Sequence, residues 1–176
     1  MLFRQLLGAG FDSLPARLRE VHGNSTGVWR GLCDVERGSN PLAVAAALAT
    51  RLPPSGRCVP LTVTIARDSS EARSREQWLR NFDGHRMNST LWREGEFLLE
   101  RLGWVTFKFR LRVVDAGIDW QIAGARILGI PAPLVWFRGA SARELTIDGR
   151  YTFDVRATLP LVGLLIRYHG WLQRDE

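Results

Sequence analysis

Apolar residues near the start of the chain recur at the spacing of an α-helix. Leu14, Leu18 and Val21 fall on one helical face, with an Asp-Ser pair before them to cap the helix and Gly23 to end it. A short apolar segment precedes this helix, and an Asn-Pro pair later opens an alanine-rich run. The first third of the chain therefore contains three predicted helices: residues 2–7, 14–23 and 41–48.

Most of the remaining chain alternates apolar and polar residues with the period of two that is typical of β-strands. The pairs Asp83-Gly84 and Asp148-Gly149 lie between such segments and are strong signals for tight hairpins. The alternating segments predict about eight to ten mostly sequential strands, a number at which a sheet usually curls: 29–35, 61–65, 78–82, 87–92, 96–102, 105–113, 118–122, 145–147, 151–155 and 164–172.

The cleanest alternation lies in residues 105–113. Phe107 and Phe109 fall on one face of this predicted strand, and Lys108 and Arg110 on the other. Because an antiparallel strand can pack one face and expose the other, we expect both phenylalanines to be buried and both cations to face water.

The elements together predict a single α+β domain over residues 1–176, with a helix-rich part at 1–56 and an antiparallel meander at 57–176. Closing so large a sheet removes its exposed edges. We therefore expect the N-terminal helices to pack on a strongly curved antiparallel sheet or a closed β-barrel. The alternative is a helix-grip fold, which normally ends in a long helix, whereas this chain ends in a strand-like segment and a charged tail.

Composition narrows the class of protein. Apolar residues make up 45% of the 176 residues and charged residues 24%, which excludes collagen-like, disordered and coiled-coil chains. No apolar run approaches the roughly 20 residues of a membrane-spanning helix, and the first residues lack the pattern of a signal peptide. Two cysteines and three isolated histidines predict neither a disulfide framework nor a metal site. We therefore expect a reducing, cytoplasmic setting and no transmembrane segment.

The positive charge is spread along the chain. The net charge is +6, and Lys108 is the one lysine among 24 cations. Many arginines sit beside acids, whereas a nucleic-acid surface normally shows clustered cations with exposed aromatic residues. The arginine bias is typical of a GC-rich genome, and no specific nucleic-acid partner is predicted.

No common catalytic or phosphate-binding motif is present. The most distinctive segment is residues 159–172, in which Arg167 and His169 share a face that would bind an acidic group if it lined a cavity. Otherwise that face is solvated, with Tyr168 packed on the opposite side. A bulge at Gly170 would move Trp171 to the face of Tyr168, so that both act as structural anchors.

Two further segments carry polar or rigid features. Arg80 and Glu100 are expected to form either an ion pair that faces an internal ligand or a pair at the surface or core edge. The Gly-Ile-Pro-Ala-Pro segment at 129–133 is either a rim over a cavity or a rigid turn between two strands.

A set of distinctive residues and short motifs runs in order along nearly the whole sequence: Leu14, Pro15, Arg19, His22, Gly23, Gly31, 35–38, 59–63, Trp78, Arg80, Phe82, Ser89, 100–103, 129–133, 148–150, 159–161 and 167–172. In these residues the chain resembles the bacterial family known as domain of unknown function 4166. Members occur alone or behind a saccharopine-dehydrogenase-like, nucleotide-binding domain. The resemblance implies a stand-alone member, since no dinucleotide-binding fingerprint is present. It also implies an accessory role beside an oxidoreductase, and it supplies no catalytic residues.

These observations favour a non-catalytic module that binds a small apolar or amphipathic ligand and needs no cofactor. Seven tryptophans lie in one β-rich domain, and a closed barrel of about eight strands either holds one small ligand or fills with side chains. Two alternatives stay open: an enzyme and a protein-interaction domain with a filled core. The enzyme would use polar residues inside the barrel, with four candidates: Arg80, Glu100, Tyr168 and His169. The ligand-binding candidates are Arg80, Glu100, Arg167, His169 and Tyr168.

Overall fold

The computed structural model describes residues 1–23, 26–68, 75–160 and 162–175. Three α-helices lie in the first third of the chain: α1 (Leu2–Leu7), α2 (Ala16–Gly23) and α3 (Pro41–Ala49). Eleven strands make up most of the rest: β1 (Gly27–Arg37), β2 (Gly56–Asp68), β3 (Arg75–Phe82), β4 (His85–Glu94), β5 (Phe97–Leu102), β6 (Val105–Val114), β7 (Gly117–Ile127), β8 (Ile130–Ala132), β9 (Ser141–Ile147), β10 (Arg150–Leu159) and β11 (Gly163–Arg174).

Ten of the strands form a closed antiparallel barrel. Their order is β6-β5-β4-β3-β2-β1-β11-β10-β9-β7, and pairing of β6 with β7 closes the ring. The short strand β8 pairs with β7 and adds to the edge of the sheet there. The expectation of a closed barrel is confirmed, and the helix-grip alternative is wrong because the C-terminal element is strand β11 and the sheet closes on itself.

Tight turns join successive strands where the sequence predicts them. Asp83 and Gly84 have φ of 47° and 93° between β3 and β4, and Asp148 and Gly149 have φ of 50° and 73° between β9 and β10. Both central residues of such a turn need positive φ, which Asp and Gly tolerate well. The turn between β6 and β7 lies at residues 115–116, one position earlier than the sequence indicates.

Strands β1 and β11 approach each other so closely that glycine is required. A Cβ on Gly31 would collide with the Trp171 carbonyl oxygen, and a Cβ on Gly170 would collide with the Leu32 carbonyl oxygen. Gly170 pairs with Cys33 on β1, and the register between β1 and β11 continues without a shift at this position. The bulge predicted at Gly170 is therefore wrong, and the glycine serves close backbone approach instead.

One end of the barrel, called here the closed end, holds helices α1 and α2. Leu2, Phe3 and Leu18 are fully buried and belong to the same apolar core as the strands. Arg17 Nε donates to the Gly149 carbonyl oxygen at 3.0 Å, which ties α2 to the turn between β9 and β10. The Phe3 ring lies 5.7 Å from the ring of Trp120 on β7.

The opposite end, called here the mouth, lies beside α3 and a short 3-10 helix, Leu134–Phe137. The Asn40 side chain caps α3 by accepting from the Leu42 amide at 2.9 Å, as the Asn-Pro signal predicts. The carbonyl oxygen of Arg51, just after α3, lies 2.8 Å from Nε2 of His85 at the start of β4. The contact with His85 holds the C-terminal end of α3 beside the start of β4.

Strand β6 has the predicted register, although its burial differs from expectation. Phe107 and Phe109 both face the barrel interior but are only half-buried, because they line an internal cavity. Lys108 is also half-buried, since its Nζ lies 3.9 Å from the centre of the Phe97 ring on the outer face. Alternation correctly indicated which side chains share a face, and the cavity and the outer aromatic ring set how exposed each one is.

Candidate functional site

The barrel encloses a cavity of about 740 Å³. Its wall is mainly apolar and aromatic and includes side chains from most strands: Leu61, Val63, Trp78, Met87, Phe107, Phe109, Trp120, Phe153, Val155, Ile166 and Leu172. Trp104 and Trp136 line the cavity and are exposed, so the cavity opens to solvent at the mouth. Side chains therefore do not fill the interior of the barrel completely.

A polar cluster lies on the inner face of three neighbouring strands. Arg80 on β3 donates from Nη1 to Ser89 Oγ on β4 at 2.8 Å and from Nη2 to Glu100 Oε1 on β5 at 3.1 Å. The guanidinium also lies 5.1 Å from the centre of the Trp78 ring. Burial by itself lowers the pKa of Arg80, but the Glu100 carboxylate outweighs this effect and the pKa lies above its usual value. Arg80 and Glu100 thus form a neutral pair that lines the cavity.

Tyr168 on β11 supplies a third candidate group inside the barrel. Its ring packs against Phe82 at 5.6 Å and Phe153 at 6.0 Å between ring centres. Burial raises the pKa of Tyr168 to about 12, although the nearby Arg80 charge opposes the change. The Tyr168 hydroxyl has no hydrogen-bond partner among the described residues, so it is a neutral donor and acceptor at the cavity wall.

A second polar cluster, which the sequence did not reveal, lies toward the closed end. His22 Nε2 on α2 is 2.6 Å from Glu144 Oε2 on β9, and both side chains are buried. The His22 ring lies between Phe3, at 3.8 Å, and Trp78, at 5.8 Å. Burial, and next the Glu144 carboxylate, raise the pKa of Tyr151 well above its usual value. Glu144 and Tyr151 line the cavity, whereas His22 supports them from behind.

Arg167 and His169 do not join these groups. They lie on the outer face of the sheet and line a shallow groove there with Asp154. Arg167 donates from Nε and Nη2 to the two Asp154 carboxylate oxygens at 3.1 Å and 2.7 Å. This hydrogen bonding lowers the pKa of Asp154, although partial burial opposes the effect. The expectation that Arg167 and His169 line the barrel cavity is wrong, because Tyr168 has the inward parity of β11.

Two related expectations change with that parity. Trp171 does not pack with Tyr168 and instead lies on the outer face, with the Arg150 guanidinium 4.5 Å from its ring centre. The proposed acid–base set is not assembled, since His169 is separated from Arg80 and Glu100 by the sheet. The described residues include no group of three or more His, Cys, Asp or Glu side chains placed to hold a metal ion.

The 129–133 segment forms a turn and a short strand near the mouth. Leu128 and Gly129 have φ of 52° and 84°, and strand β8 then pairs back on β7. The Leu128 amide donates to the Trp104 carbonyl oxygen at 2.9 Å, which links this turn to the one between β5 and β6. The tight turn therefore lies at residues 128–129, and most of the 129–133 segment forms strand β8 beside the mouth.

Comparison with known proteins places the chain in a family. In the described part of the chain, every helix is too short or too polar to cross a bilayer. No curated protein matches the sequence. The model of one family, described as Domain of unknown function (DUF4166), matches residues 14–172. Because that match covers nearly the whole chain, the protein belongs to the DUF4166 family.

Proposed function

We propose that the barrel binds one small amphipathic molecule in its cavity. The observation that carries this proposal is the open cavity of about 740 Å³ with a mainly apolar wall and a few convergent polar groups. Small-molecule sites typically have volumes of about 300–1,000 Å³ and this kind of lining. The cavity favours ligand binding over an accessory role beside an oxidoreductase, for which the geometry offers no specific observation.

The charges inside the barrel favour a ligand with a neutral polar group. Arg80 is already neutralised by Glu100, and Glu144 adds a second carboxylate to the wall. A ligand carboxylate would bring a further negative charge into a poorly solvated site, which is costly without another cation. The free Tyr168 hydroxyl suits a ligand hydroxyl, carbonyl or amide instead, so the proposed ligand is an apolar body with one such group.

The test compares two probes of equal chain length, dodecanol and dodecanoate, by displacement of N-phenyl-1-naphthylamine and by native mass spectrometry. We expect dodecanol to bind one molecule per chain at pH 8 and at least about tenfold more tightly than dodecanoate, since an unpaired buried charge costs more than about 1.4 kcal/mol. Tyr168→Phe should weaken dodecanol binding about five- to tenfold, the value of one lost hydrogen bond.

His169→Ala is the matched control, because His169 is the next residue on β11 and lies on the outer face. It should leave the affinity for dodecanol unchanged. Failure of both probes to bind the folded protein would overturn the proposal. Equal losses in the Tyr168→Phe and His169→Ala variants would show that the polar contact has been assigned to the wrong face.

A further inference from the structure

Exposed apolar side chains gather around the mouth of the barrel. Trp104 is 66% exposed and Leu128 71%, and both lie on the linked turns at this end. Ile130, the first residue of β8, is 70% exposed. The 3-10 helix beside them exposes three more apolar side chains: Leu134, Val135 and Trp136. Contiguous apolar surface of this kind marks an interaction site, whereas single scattered residues do not.

Helix α3 extends this surface on the other side of the mouth. Its inner side is formed by Ala43 and Ala47, which are buried. Its outer side carries Leu42, Val44 and Leu48, with Leu48 67% exposed. The helix contains no charged residue over residues 41–49. A helix at a water-exposed surface is normally polar on its outer face. The apolar outer face of α3 is therefore suited to contact with an apolar partner.

Positive charge surrounds the apolar surface. Six exposed arginines lie at or near the mouth and form no ion pair with any described residue: Arg51, Arg86, Arg101, Arg126, Arg138 and Arg156. The exposed acids placed nearest this end in the described chain are Glu36 and Asp83. The mouth therefore has an excess of positive charge.

The closed end differs in this respect. There, Arg4 pairs with Asp12 and Arg17 with Glu20, both at 2.9 Å. Other arginines toward that end are paired in the same way with nearby carboxylates: Arg30 with Asp175, Arg110 with Glu96, and Arg143 with Asp115 and Asp119. Exposed arginines without an ion pair among the described residues also lie toward the closed end: Arg19, Arg93, Arg112 and Arg150. Because exposed acids are numerous at that end and few at the mouth, the excess of positive charge lies at the end that also exposes the apolar residues.

We infer that the mouth end docks on the surface of an anionic phospholipid bilayer. Leucine and tryptophan side chains enter the headgroup and upper acyl region, and arginines bind lipid phosphates. A second copy of this chain fits the surface poorly, because a symmetric contact would bring unpaired arginines against each other. The docked bilayer would face the opening of the cavity directly. This inference goes beyond the proposed function, since vesicle binding needs no ligand in the barrel.

The test is flotation of the full chain with vesicles of phosphatidylcholine alone or with 30 mol% phosphatidylglycerol. We expect binding to the anionic vesicles, little binding to phosphatidylcholine, and at least a tenfold loss on raising NaCl from about 0.1 to 0.5 M, because salt screens the lipid charge. Tryptophan emission should shift to the blue on binding, and the double variant Trp104→Phe/Trp136→Phe should lose most of that shift.

Matched variants locate the contact. Leu48→Glu should lower vesicle binding at least tenfold, while Ile147→Glu, an exposed aliphatic residue at the closed end, should leave it unchanged. Arg101→Glu should lower binding at least about fivefold, since one basic residue near the surface contributes about 1 kcal/mol. Arg112→Glu, near the closed end, is its control. The melting temperature of each variant should stay within 2–3 °C of that of the wild type, which shows that folding is retained.

Several results would overturn the inference. No flotation with anionic vesicles at low salt would do so, as would equal losses in the mouth and closed-end variants. Sedimentation of the wild type as a dimer that Leu48→Glu converts to a monomer would assign the surface to a second copy of the chain. Binding to an acidic polypeptide such as polyglutamate, with no binding to anionic vesicles, would assign it to an acidic protein.

Discussion

The buried Arg80–Glu100 pair should be far more strongly coupled than an exposed pair of equal or shorter length. The Arg80 Nη2 to Glu100 Oε1 distance is 3.1 Å, and the two side chains are 10% and 14% exposed. The exposed control, Arg110 and Glu96, has a shorter contact of 2.8 Å. If distance decided the energy, the control would be the stronger pair, whereas burial predicts the opposite order.

A double-mutant cycle on each pair gives the magnitudes. Removing either Arg80 or Glu100 leaves the other charge poorly solvated, which should lower the free energy of unfolding by about 3 kcal/mol. This value is at the lower end of the usual range because both groups border an open cavity. The double variant should lose less than the sum of the singles, with a coupling energy of about 2 kcal/mol, against less than about 1 kcal/mol for the control.

The assay is urea unfolding of the alanine variants, followed by tryptophan fluorescence. The free energies of unfolding are compared with a common slope (m value) against urea concentration. Single losses that add to within about 0.5 kcal/mol for Arg80 and Glu100 would refute the reasoning, since the two charges would then be independently solvated. A coupling energy for the control as large as that of the interior pair would refute it as well.

Three further predictions follow from the interior. Native protein should react with Ellman's reagent at one thiol, the exposed Cys58, because burial, and next Asp34, raise the pKa of Cys33 to about 12; a second thiol should react only after unfolding. The pKa of Tyr168 is raised above its unfolded value, so its contribution to stability is complete below pH 10 and is lost as pH rises toward 12; ultraviolet titration should show no phenolate near pH 10 in the folded chain. Phe3→Ala should cost about 3–5 kcal/mol in thermal unfolding, and Phe107→Ala less than half as much, because Phe107 already borders empty space.

Local patterns predicted the strands and turns well. The Asp-Gly pairs need only their own backbone preferences to form tight turns, and alternation in β6 needs only the pleat of a strand. Closure of the barrel is harder to predict, since it depends on pairing between strands that are far apart in the sequence. Strand β1 pairs with β11, at the other end of the chain, and no local pattern signals that contact, whereas β6 and β7 form a local hairpin.

The candidate site was harder to predict, because alternation shows which residues share a face without showing which face is inside. In β11, Tyr168 stands on one face and Arg167 and His169 on the other, and both faces mix polar and aromatic groups. The sequence therefore offered the wrong pair for the cavity. The contact between His22 and Glu144 joins residues 122 positions apart, and neither carries a local signal for the other.

For the ligand proposed above, the polar groups in the barrel would separate the source of binding energy from the source of selectivity. Arg80 is satisfied by Ser89 and Glu100, and Glu144 by His22, before any ligand enters. A ligand that displaced these partners would break hydrogen bonds as it formed new ones and would gain little. The favourable free energy must then come from burying apolar surface against the aromatic wall. The Tyr168 hydroxyl, which has no partner among the described residues, is the group able to distinguish one apolar molecule from another.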